Sequence, residues 1–101
     1  MSSHNVWLDH VSEINDNTRH ICAVYARERK SGNISPWLPV VMSEGARITG
    51  DAARAMVDIL GRPDDRNEWP TRRLLECRNA LRKVRRMMDD MFGPDEVNET
   101  N

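Results

Sequence analysis

Over residues 3–30 the side chains suited to a core return at alternating steps of four and three: Trp7, Val11, Ile14, Thr18, Ile21 and Tyr25. At about 100° per residue that alternation puts all six on one stripe of an α-helix. Ser3 suits the cap before the first turn. Asn15, Asp16, Asn17 and Thr18 compete with the helical backbone for hydrogen bonds, but the stripe keeps its phase through them. One continuous or slightly kinked helix is therefore expected, until "SGN" at 31–33 stops it.

The next stretch, "ISPWLPVVMSEGARIT", admits two readings. Ser35 and Pro36 suit an N-cap and the first helical position, with Pro39 still within the first turn, and a short helix from Pro36 toward Glu44 is preferred. The alternative is a small hairpin in which "LPVVM" returns through "SEG" into "ARIT". Thr49 then reads as the cap of another helix over 50–60, whose Ala53, Met56, Val57 and Leu60 fall at i, i+3, i+4 and i+7 as one buried face. Gly61 and Pro63 end it, and "RPDDRNE" reads as a polar turn.

The final helix is expected from about Asn67, with Glu68 and Pro70 in its first turn, to about Phe92, where Gly93 and Pro94 close it. Leu74, Cys77, Leu81, Val84, Met88 and Met91 form a heptad-like seam along it. The fold expected is all-α: a small bundle of three to four helices with a long N-terminal and a long C-terminal helix. It comprises one helical domain over residues 1–92, and the acidic stretch 93–101 is expected to be disordered.

Charge changes this picture locally rather than globally. The chain of 101 residues has a formal net charge of only −1. Yet "RRLLECRNALRKVRR" (72–86) holds seven bases and Glu76, a local +6 that leaves −7 for the rest. On a helix, Arg72, Arg78, Arg82, Lys83, Arg85 and Arg86 fall on an arc about 160° wide opposite the seam. Nucleic acid would use such a row for phosphate contacts, but the arc lacks aromatics and, apart from Asn79, amides for reading bases. Pairing with acids of this chain, Asp9 and Glu13 among them, is the simplest expectation, and selection of an acidic protein partner is a further use of the same arc.

Composition restricts the chemistry. With five aromatic residues in the chain, the core must rest on Leu, Ile, Val, Met and Ala, and a small core of this kind is often completed by self-association. Cys22 and Cys77, 55 positions apart, are expected to be small buried thiols rather than a disulfide or metal pair. His4, His10 and His20 lack ligand spacing and are expected at the surface. No phosphate loop or nucleophile elbow occurs, and Asp64 and Asp65 fit turn chemistry. An enzyme is not expected, and neither is a cofactor. No leader or membrane span is expected either, so the protein is expected in the cytoplasm. The sequons at Asn33 and Asn98 are then coincidental.

The consecutive apolar run Trp37, Leu38, Pro39, Val40, Val41 and Met42 is the sharper clue, since a proline-stiffened, Trp-led ridge suits a protein contact. The expected function is a small regulatory protein that binds another protein and inhibits or modulates it through this ridge. Arg78, Arg82, Lys83, Arg85 and Arg86 would select the partner electrostatically. A homodimer is expected, seamed by Leu74, Leu81, Val84, Met88 and Met91 about a two-fold axis. In size and helical build the chain is similar to small helical antiactivators, which cover the dimer or effector surface of a transcription factor. That likeness implies a bacterial or phage transcription factor as the partner. The alternative is a nucleic-acid-binding accessory protein using the basic arc.

Overall fold

The computed structural model describes residues 4–61 and 68–93. The Ser3 cap, the turn with Asp64 and Asp65, the helix start near Asn67 and the acidic tail beyond Gly93 lie outside the described residues, as does the side chain of His4. Three long helices follow in order: α1 (His4–Lys30), α2 (Trp37–Gly61) and α3 (Glu68–Phe92). They form an all-α three-helix bundle.

Direction follows from which side chains meet. His10 reaches Arg78, Asn17 reaches Arg85 and His20 reaches Asp89. The separation stays at 68 or 69 residues, so α1 and α3 run parallel. α2 returns antiparallel to both, its Gly45 lying against Ile21 of α1 and Val84 of α3. A Cβ on Gly45 would stand 3.6 Å from Val84 Cγ1 and 3.7 Å from Ile21 Cγ2.

The connections are built by capping. Gly32, at φ +85°, ends α1. The amide of Asn33 donates to the Glu28 carbonyl, and that of Gly32 to the Arg29 carbonyl. This is the Schellman pattern, which uses the left-handed conformation that glycine adopts without strain. Ser35 then caps α2, its Oγ accepting from the Trp37 amide at 3.2 Å. Pro39 has no N–H for the Ser35 carbonyl, which accepts from the Leu38 amide instead. α3 ends on Gly93, at φ +84°, whose amide donates to the Asp89 carbonyl.

α2 is a single helix, which excludes the hairpin and corrects the expected break at Thr49. The Thr49 hydroxyl donates back to the Gly45 carbonyl at 2.9 Å and so caps nothing. The uninterrupted phase Leu38, Val41, Gly45, Ile48, Ala52, Ala55, Ile59 is buried. The expected face of Ala53, Met56, Val57 and Leu60 is therefore off-phase. Val57 and Leu60 are each 68% exposed, Ala53 is exposed and Met56 partly buried.

Two further expectations shift. In α1 the buried line is His10, Ile14, Asn17, Ile21 and Val24, with Trp7, Val11 and Tyr25 on its flank. His10 is thus not a surface histidine, and of the two thiols only Cys77 is buried, Cys22 being exposed. In α3, Leu74, Cys77, Leu81, Val84 and Met88 are buried as expected. Leu74, Leu81, Val84 and Met88 fill the bundle itself and cannot seam a dimer; only Met91, 45% exposed, remains available.

Candidate functional site

Three helices leave three grooves, and each has its own chemistry. The groove between α1 and α3 is ionic. Glu13 accepts from Arg82 Nη2 at 2.7 Å on one carboxylate oxygen and from Arg82 Nε on the other. Arg78 Nε lies 3.9 Å from the same carboxylate, and Asn17 Nδ2 donates to it at 3.3 Å. Arg85 in turn donates to Asn17 Oδ1 at 3.0 Å. His20 Nε2 and Asp89 Oδ1 close the row at 2.7 Å.

Beneath that row, Arg78 Nη1 lies 3.2 Å from His10 Nδ1. A guanidinium only donates, so His10 Nδ1 accepts and the ring proton sits on Nε2. Burial, with the Arg78 charge second, lowers the His10 pKa below 6.5 and favours this neutral form. Hydrogen bonding from Arg82 likewise lowers the pKa of Glu13. The outer rim is a trough of about 530 Å³ in which Asp16, Arg86, Asp89 and Asp90 extend the alternation of sign.

The bases of "RRLLECRNALRKVRR" are accordingly divided. Arg78, Arg82 and Arg85 turn toward α1, while Arg73 pairs with Glu76 and Arg72 with Glu68. Lys83 and Arg86 form no ion pair among the described residues.

The groove between α2 and α3 is mixed. Glu44, Arg47, Asp51 and Arg54 make a surface chain of i,i+3 and i,i+4 pairs along α2. At one end, exposed Trp69 and Arg73 border a hollow of about 200 Å³ facing Asp51, Arg54 and Asp58. At the other end the character is apolar. With Gly45 against Val84 and the helices antiparallel, helical periodicity sets Trp37 and Val40 level with Met87 and Met91 on the same outer rim. All four are exposed.

The expected ridge 37–42 is therefore split by the helix. Leu38 and Val41 point into the core, Met42 is partly buried, and Trp37, Pro39 and Val40 face out. Met87, which the sequence reading left without a role, joins them; its position just beyond the Val84 and Met88 seam was the available signal.

The groove between α1 and α2 is uncharged. These helices touch each other much less than either touches α3. The opening that results has a volume of about 230 Å³, with Leu81 at its floor and Thr18, Cys22, Met42, Gly45, Ala46 and Thr49 around it. The hydroxyls of Thr18 and Thr49 meet across it at 3.3 Å.

Among the described residues no group of three or more His, Cys, Asp and Glu is placed to hold a metal ion, and no helix is long and apolar enough to cross a membrane. No protein-family model, no curated protein and no solved structure matches this chain.

Proposed function

We propose that this chain is a small regulatory binding protein that docks on another protein through the exposed cluster of Trp37, Val40, Met87 and Met91. The single observation that supports this reading is the composition of that corner. Four large apolar side chains share one rim, and Lys83, a base of α3 with no ion pair among the described residues, lies one helical turn before Met87. A rigid aromatic anchor with flexible methionines around it is the make-up of a contact surface. An unpaired charge at its border favours an acidic partner and raises the association rate. In the finer form of the proposal the partner is a bacterial or phage transcription factor whose dimer or effector surface is covered, as an antiactivator would cover it. The polyanion reading is weaker because Arg78, Arg82 and Arg85, three of its five residues, are occupied by α1.

The experiment is capture from nuclease-treated extract of the native host, with the wild type and a Trp37→Ser/Met87→Ser variant of unchanged helical circular dichroism as baits. The expected result is a protein retained by the wild type and lost from the variant. Equal retention by both, or retention that requires intact nucleic acid, would overturn the proposal.

A further inference from the structure

The face formed by α1 and α2 is chemically unlike the rest of the surface. On its α2 side Met42, Ala46, Thr49, Ala53, Met56 and Leu60 recur at alternating steps of four and three and carry no charge. The charged side chains of the helix, Glu44 through Asp58, lie on the opposite flank, toward α3. On its α1 side Leu8, Val11, Asn15, Thr18, Cys22 and Ala26 recur at steps of three and four and are themselves uncharged, with Arg19 and Arg29 at the border.

We infer that this face binds a second copy of the same chain, with α2 packed antiparallel on its twin about a two-fold axis level with Gly50 and Ala53. Three observations converge on that occupant. The first is charge. An isologous interface brings each group near its own image, so a face that meets itself must avoid like charges, and the α2 stripe on which the axis falls has none to repel. A different partner chosen by charge would leave an imprint of opposite sign, and none is present.

The second is the order of sizes along α2. Reversing the stripe about its centre exchanges Met42 with Leu60, Ala46 with Met56 and Thr49 with Ala53. Small residues occupy the middle and large ones the ends. Two crossing helices approach most closely at the centre and diverge outward, so small side chains are required there and large ones fill the widening gap. The end and central pairs are thus matched in size, and the small Ala46 leaves room for Met56. Exposed Ala46, Gly50 and Ala53 have no role in the bundle core, whereas they permit this close approach.

The third is extent. A 25-residue helix is about 37 Å long, and two helices side by side are about 20 Å wide, so the face offers roughly 700 Å² per copy, close to the 800 Å² or so of a standard interface. The loosely closed seam above Leu81 lies within that footprint and would be covered by it.

This inference is independent of the docking corner, which lies on the α2–α3 side. Its test is sedimentation equilibrium of the full chain under reducing conditions. A concentration-dependent mass twice 11.7 kDa is expected for the wild type, and the single-chain mass for Ala53→Glu and Ala46→Glu with unchanged circular dichroism. Geometry is read by mixing a Thr49→Cys chain with an Ala53→Cys chain, both carrying Cys22→Ser. Oxidation is expected to yield the mixed disulfide ahead of either homodisulfide. A wild type that stays monomeric, a dimer indifferent to both glutamates, or homodisulfides in preference to the mixed product would each overturn it.

Discussion

Glu13 and Arg82 stand 69 positions apart in sequence, yet the guanidinium donates to both oxygens of the carboxylate. With Arg78 on His10 and Arg85 on Asn17, this pair sets the register in which α1 lies parallel to α3. Three of the seven bases in the most basic stretch of the chain form an internal clasp. What remains for partners is the set of groups that the clasp leaves outside.

Adjacent residues near the end of α2 should respond very differently to truncation. Ile59 is buried in the core and Leu60 is 68% exposed. Ile59→Ala is expected to cost about 2–5 kcal/mol, and Leu60→Ala under about 0.5 kcal/mol. Urea unfolding of both in the Ala53→Glu background, where self-association does not contribute, checks the contrast.

Acid should destabilise the protein in two stages. His10 has a folded pKa below 6.5, so between pH 6.5 and that lower value the unfolded chain takes up a proton that the folded chain refuses. Its contribution is intact above pH 6.5 and declines as pH falls through this window. Glu13, lowered from 4.5 by Arg82, adds a second loss as pH falls further. Urea midpoints measured between pH 7.5 and 5 should fall more steeply for the wild type than for His10→Gln; parallel slopes would contradict the assignment.

Gly45 marks the closest approach of α2 to its neighbours, but not so close as to exclude a methyl group. A Cβ there meets Val84 and Ile21 at ordinary van der Waals distance. Gly45→Ala is expected to raise stability by about 0.5–1 kcal/mol through helix propensity. Gly45→Leu, which must push both neighbours aside, is expected to lower it by about 1–3 kcal/mol. Thermal or urea unfolding of the two variants reads the opposite signs.

The helical architecture was legible because its signals are local. Ser35 and Pro36 announce the start of α2, and glycines 32 and 93 end helices in the conformation that glycine favours. The seam of α3 was legible because Leu74, Leu81, Val84 and Met88 are large and regularly spaced. Phase failed where small residues serve as core. Gly45, Ala52 and Ala55 carry little hydrophobic signal, so the larger Val57 and Leu60 drew the expected face to the wrong side of α2. His10 and Asn17 were illegible for a related reason: polar groups on a buried line depend on Arg78 and Arg85, which arrive from the far end of the chain. The docking corner was half visible in the 37–42 run. Its other half, Met87 and Met91, joins only when α2 folds back against α3.

The division of the α3 arginines is tested most directly by nitrogen-15 NMR of their Nε–Hε groups in the wild type and in Glu13→Gln. Arg82, whose Nε donates to Glu13, is expected to show an Hε signal protected from exchange that moves strongly in the variant, while the Hε of Arg86 exchanges quickly in both. Uniformly fast exchange across all the α3 arginines, with no response at Arg82 to the loss of the Glu13 charge, would contradict the account.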